Sequence, residues 1–214
     1  DHPHVRPATR IRVQAAIAEL GYRPNVAARG LRSGRTGVIS LAVPALSEGY
    51  FAELADAVIR AAEARGLGVV VEQTNGERKA ELLALSGGRR RFTDGLLLSP
   101  MNLGQNDAAL LDVDNPLVLL GERIFDGPTD HVSTDNEAAA AAAVAHLLSL
   151  GRRRIALVGG RAGETGTASL RLAGARRALA AAGVPDDPAL VRPVEDWTRA
   201  GGADAVLALL AEGV

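Results

Sequence analysis

Residues 38–71, VISLAVPALSEGYFAELADAVIRAAEARGLGVVV, decide the fold class. Val38 to Val43 is a short apolar run with β-branched residues, and Pro44 ends it. Phe51, Leu54, Ala55 and Val58 then fall at i, i+3, i+4 and i+7, which predicts a helix over Tyr50 to Arg65. Gly66 stops that helix, and Leu67 to Val71 is a second apolar run. Strand, helix and strand without polar alternation predict parallel strands buried on both faces.

The same rhythm continues downstream. A helix near Glu77 to Leu85 precedes strands at Gly95–Ser99, Leu117–Leu120 and Val132–Thr134. The alanine-rich stretch Glu137 to Leu150 predicts a helix closed by Gly151. Ile155–Val158 reads as a strand, Ser169–Ala182 as a helix closed by Gly183, and Ala203–Leu210 as a last helix. The expected class is α/β, a doubly wound parallel fold. Another strand should follow the last helix, so the second sheet is expected to be incomplete in this chain.

Upstream of Val38 the texture differs. Val13, Ala16, Ile17 and Leu20 form one helical face, with Pro7 in the first turn and Gly21 at the end. Pro24 resists continuation, Asn25 can cap, and Val26 to Arg32 make barely two helical turns. Ser33 to Gly37 reads as a linker.

Composition narrows the function. The 214 residues are 47% hydrophobic and 23% charged, which is globular. The absence of cysteine excludes disulfides and Cys-ligated zinc or iron–sulfur sites. No apolar run approaches the roughly 18 residues of a membrane span, so no membrane partner and a cytoplasmic location are expected. Residues 1–35 carry seven arginines against Asp1 and Glu19, a net +5, leaving −6 on the remainder. A basic arm on an acidic body suggests a polyanion-binding module, although a solvated arginine-rich helix would look the same.

Signatures of catalysis and of cofactor binding are missing. Gly159, Gly160, Gly163 and Gly166 follow a strand but match no phosphate-loop spacing, so a plain turn explains them better. His2, His4, His131 and His146 lack metal-ligand spacing beyond a terminal pair. No nucleophile elbow occurs. The expectation is a protein that is not an enzyme and needs no cofactor.

Thr9-Arg10, Arg12-Val13, Ala16-Ile17, Leu20-Gly21-Tyr22, Pro24-Asn25, Ala28-Arg29 and Leu31 keep a fixed spacing. This pattern closely resembles the end of the headpiece in the lactose-repressor (LacI/GalR) family of transcriptional regulators. Tyr50-Phe51-Ala52-Glu53, Asp94-Gly95-Leu96, Thr134-Asp135-Asn136 and Arg171-Leu172-Ala173-Gly174 extend the resemblance over essentially the whole chain.

The resemblance implies three segments. Residues 1–35 would be a partial helix-turn-helix headpiece with its hinge helix. Residues 36–136 would be the first lobe of a periplasmic-binding-protein-like sensor, and 137–214 part of the second. Val5 to Leu20 would be the third headpiece helix, and Asn25 to Arg32 the hinge helix. Tyr22, Asn25, Ala28, Arg29, Leu31 and Arg32 are the implied DNA-binding residues. Leu31 would be a wedge between base pairs, and the arginines would add salt-sensitive phosphate contacts. Gly30 stands where the family often has serine. It should weaken the free hinge helix, since glycine costs about 0.8–1.0 kcal/mol relative to alanine.

For the effector, the resemblance implies Tyr50, Phe51, Asp135, Thr167, Arg171 and Trp197. Tyr50 and Phe51 would form a wall, Arg171 a bidentate donor, and Trp197 a stacking surface. The residues themselves leave other roles open: Asp135 could be an ordinary helix cap, and Trp197 a core residue. Some relatives carry a ligand-binding aspartate after the Leu117–Leu120 strand; here Gly121, Glu122 and Arg123 stand there. Arg152 to Arg154 reads as a solvated face. The implied partners are operator DNA, a small effector such as a sugar, and a second copy of the chain in a homodimer. A periplasmic-type sugar-binding protein without a DNA role is the alternative, and it leaves the basic arm unexplained.

Overall fold

The computed structural model describes residues 6–21, 35–86, 92–160, 163, 166–194 and 197–214. Helix α1 spans Pro7–Leu20, with proline in its first turn and Gly21 at φ +57° ending it. Val13, Ile17 and Leu20 are exposed, so the apolar face read from the sequence covers no core among the described residues.

The main sheet has five parallel strands in the order β2-β1-β3-β4-β5. They are β1 (Val38–Val43), β2 (Gly68–Gln73), β3 (Leu96–Leu98), β4 (Leu117–Leu120) and β5 (Asp130–Val132). Alternation along β1 divides the core between the two faces. Leu41 and Val43 pack with Phe51 and Ala55 of α2 (Gly49–Glu63), while Leu97 and Leu120 lie against the same cluster. Ala42 faces the other way, with Leu98, Leu117 and Leu119. That side is closed by Leu85 of α3 (Arg78–Leu85) and Leu111 of a 3-10 helix at Gln105–Leu111. Both faces are therefore covered, as apolar runs without alternation require.

A second parallel pair joins β6 (Leu157–Val158) to β7 (Val191–Arg192). Around it lie α4 (Asn136–Ser149), α5 (Thr167–Ala181) and α6 (Arg199–Ala211). Val144 of α4, Ala175 and Leu179 of α5, and Ile155 ahead of β6 make one core cluster there. Gly174 permits the close approach of α4 and α5: a Cβ there would lie 2.0 Å from the Glu137 carbonyl oxygen.

Three local expectations change. The strand expected at Val132–Thr134 lies at Asp130–Val132, because its register with Val118–Leu120 ends at Val132. The chain then turns so that Asp135 can cap α4, accepting from the Ala138 N–H at 2.9 Å. β6 holds two residues rather than four, and β7 has no counterpart among the expected strands. Arg153 and Arg154 are exposed, yet each also donates to a backbone carbonyl near the end of a helix, Ala182 and Gly213 respectively.

A buried carboxylate organises the loop after β3. Glu81 on α3 is fully buried and accepts from the N–H groups of Met101, Asn102 and Leu103. The ion pair of Arg78 and Asp107 closes the same loop from outside. Among the described residues, no helix is long and apolar enough to cross a membrane.

Candidate functional site

Because the strands are parallel, their carboxyl ends lie together along one edge. The order β2-β1-β3-β4-β5 reverses its direction of growth between β1 and β3. Open α/β sheets bind ligands outside the carboxyl ends of their strands, at such a reversal. Here those ends lead into Tyr50 after β1, Glu122 after β4, Asp135 after β5, Thr167 after β6 and Trp197 after β7.

Side chains from four of these connections meet. Thr167, at the start of α5, donates its hydroxyl to the Glu122 carboxylate at 2.6 Å. Glu122 also accepts weakly from the Thr134 N–H at 3.4 Å. One turn along α5 from Thr167, Arg171 donates from Nε to Asn136 Oδ1 at 2.6 Å. Its guanidinium carbon stands 5.6 Å from the centroid of the Trp197 ring. Gly159, at φ +82°, borders the indole: a Cβ there would lie 3.7 Å from ring carbons of Trp197. Arg123 Nη1 would lie 3.5 Å from a Cβ on Gly166, and Arg123 Nε donates to the Leu103 carbonyl at 3.4 Å.

The effector residues expected from the sequence thus divide into two groups. Thr167, Arg171 and Trp197 belong to one constellation, with Glu122 and Asn136 linking its members, and Asp135 adjoins it in sequence as the residue before Asn136. Asp135 itself serves as the helix cap. Tyr50 and Phe51 make a separate edge-to-face pair, with centroids 5.1 Å apart, at the head of α2. Tyr50 is 67% exposed, whereas Phe51, at 7%, packs in the core. Phe51 is therefore a core residue rather than an exposed wall residue, and Tyr50 presents the open ring.

Two members carry little signal in the sequence. Asn136 is 97% buried, with only 3% of its surface accessible, and it orients Arg171. Its sequence signal is only its place beside the helix-capping Asp135. Glu122 is 45 residues from Thr167, and that separation hides the contact. Tyr22, Asn25, Ala28, Arg29, Leu31 and Arg32 lie outside the described residues, as does the Gly30 expectation.

Chemically, the constellation offers a carboxylate acceptor, guanidinium and hydroxyl donors, and an indole with 52% of its surface accessible. A ring bearing several hydroxyl groups can donate to the first, accept from the second, and lay its C–H face on the third. A hollow of about 250 Å³ also opens beside Arg153, Arg154, Asp186 and Asp187. Those residues precede β6 and β7, so it lies at the opposite ends of these strands. Among the described residues, no group of three or more His, Asp or Glu side chains could hold a metal ion.

Parallel sheets with polar and aromatic groups gathered at their carboxyl ends define an α/β protein of the kind that binds ligands at that edge. Residues 36–213 match the family model for periplasmic binding proteins and the sugar-binding domain of the LacI family. Catabolite control protein A of Priestia megaterium is 31% identical over 213 residues, covering 99% of this chain and 64% of the relative. A LacI-family transcriptional regulator structure from Sanguibacter keddieii DSM 10542 is 52% identical, with a TM-score of 0.75, covering 84% of this chain and 64% of the other. The lac repressor dimer, solved with operator and the anti-inducer ONPF, is 27% identical with a TM-score of 0.82, covering 99% and 63%. The chain belongs to the LacI/GalR family and has its periplasmic-binding-protein-like α/β fold. It spans somewhat less than two thirds of these relatives' length.

Proposed function

We propose that this chain belongs to a transcriptional repressor whose affinity for operator DNA is set by a sugar bound between two α/β lobes. Residues 1–35 are the end of the helix-turn-helix headpiece and the hinge helix, 36–136 the first lobe, and 137–214 part of the second. Tyr22, Asn25, Ala28, Arg29, Leu31 and Arg32 contact DNA. Tyr50, Asp135, Thr167, Arg171 and Trp197 meet the effector, with Phe51 behind Tyr50. Glu122 and Asn136 complete the site.

One observation carries the reading. The family model for the sensor begins at residue 36, yet the likeness to catabolite control protein A covers 99% of the chain and so takes in the basic arm. A sugar-binding protein without a DNA role has no use for that arm. The protein acts as a cytoplasmic homodimer without enzymatic turnover. Effector binding changes the angle between lobes and so the spacing of the two hinge helices; it shifts DNA affinity only through its unequal affinity for the two states.

Titration calorimetry of the full-length protein against a panel of neutral mono- and disaccharides tests the sensor directly. Saturable binding of one sugar, weakened roughly tenfold to a hundredfold by Arg171→Ala, is expected. Binding of none, alongside binding of a nucleotide or an amino acid, would reject the sugar assignment.

A further inference from the structure

The arm and the sensor meet at Thr36 and Gly37, at the end of the sheet opposite the ligand constellation. There a single carboxylate gathers three donors. Asp94 Oδ1 accepts from the Thr36 N–H at 2.6 Å and from its hydroxyl at 2.9 Å, and Oδ2 accepts from the Gly37 N–H at 2.8 Å. The Asp94 N–H donates in turn to the Val38 carbonyl at 2.6 Å. The Thr36 hydroxyl oxygen also accepts from the Val38 N–H at 3.2 Å. Gly37 holds φ +73°, a conformation suited to glycine, and its carbonyl accepts from Gly68. Thr36 is thereby fixed to the start of β3 as well as to β1.

Burial pushes the Asp94 carboxyl up, but the hydrogen bonds from Thr36 and Gly37, helped by the charge of Arg35, outweigh it and hold the group below its usual value. The carboxylate is therefore the working form at neutral pH. β1 and β3 are the strands on either side of the winding reversal. Their carboxyl ends lie on the same edge of the sheet as those of β4 and β5, and their amino ends hold the clamp. A shift of this strand pair displaces Thr36 with it.

Resting on the regulator reading above, we propose that Asp94 is a positioning residue that fixes where the DNA-binding arm leaves the sensor. Without the clamp, residues 35–37 swing freely, and the two arms of a dimer lose their set spacing. DNA affinity should fall although no phosphate contact has been removed.

The test uses Asp94→Asn and the milder Thr36→Val in the full-length protein. Trypsin cleavage between Arg35 and Thr36, followed by mass spectrometry, should quicken about tenfold in Asp94→Asn, and less in Thr36→Val, if opening of the clamp limits cleavage. Affinity for labelled duplex from upstream of the gene should fall about tenfold. The salt slope should stay unchanged, because the number of neutralised phosphates is the same. Tryptophan fluorescence and sugar affinity should match the wild type, which a merely destabilised sensor would not allow. Unchanged cleavage at Arg35 overturns the clamp, and faster cleavage with unchanged DNA affinity overturns its positioning role. If the wild-type protein binds no DNA, the regulator reading fails, and the positioning role of Asp94 falls with it.

Discussion

Thr167 donates its hydroxyl to Glu122 at 2.6 Å and so ties the loop after β4 to the first turn of α5. Arg171, one turn further along, is held by Asn136 and covers Trp197. The donors and acceptors that a sugar would use are thus already engaged with one another, and a ligand replaces those contacts rather than finding unsatisfied groups.

Removing the charged donor should therefore weaken binding strongly. A hydrogen bond to a charged group contributes about 1.5–3 kcal/mol, so Arg171→Ala should lower sugar affinity roughly tenfold to a hundredfold. Thr167→Val should cost less, near tenfold. Calorimetry checks both, and an unchanged affinity in Arg171→Ala would remove that residue from the site.

Trp197 is the single tryptophan of these 214 residues, so among them it alone reports on this site by intrinsic fluorescence. A stacking sugar must displace the Arg171 guanidinium from the ring, and the emission should shift on binding. Trp197→Phe should retain much of the affinity and lose the signal, whereas Trp197→Ala should lose both. Emission unmoved by a sugar that calorimetry shows to bind would place Trp197 outside the contact.

Gly174 packs against the backbone of α4, where a Cβ would meet the Glu137 oxygen at 2.0 Å. That atom belongs to a helix and cannot yield easily. Gly174→Ala should destabilise the protein by about 3 kcal/mol, at the upper end for overpacking. Urea unfolding measures it, and a loss under about 0.5 kcal/mol would mean that the helices part without penalty.

The Arg78–Asp107 pair gives a pH signature. Its bond to Arg78, aided by the Gly104 N–H, holds the Asp107 carboxyl down to about 2. An unfolded aspartate titrates near 3.9. The stabilisation is therefore complete above about pH 4 and is lost as the pH falls toward 2. Thermal melts between pH 2 and 5 should show the wild type losing its advantage over Asp107→Asn across that window. A constant difference between the two would contradict the assignment.

The sheet was legible in the sequence where strands lie within continuous aliphatic runs. β1, β3 and β4 announce themselves as runs of Val, Ile and Leu, and α2 as the spacing of Phe51, Leu54, Ala55 and Val58. β7 was not legible, because two residues, Val191 and Arg192, carry no period. Nothing in the sequence marks Glu81; only the three loop N–H groups brought to it explain its burial. Arg171 and Trp197 were found through the family resemblance, and their pairing required the fold. Glu122 and Asn136 entered the site only once the connections after β4 and β5 lay beside α5.

Fluorescence anisotropy of labelled duplex from upstream of the gene, titrated with full-length protein across a salt series with and without sugars, bears most directly on the proposed function. Sequence-selective binding in the nanomolar range, with affinity falling steeply as salt rises and shifted by one sugar, is the expected result. A protein that binds a sugar yet ignores the duplex at every salt concentration would contradict the repressor assignment and leave a sugar-binding protein in its place.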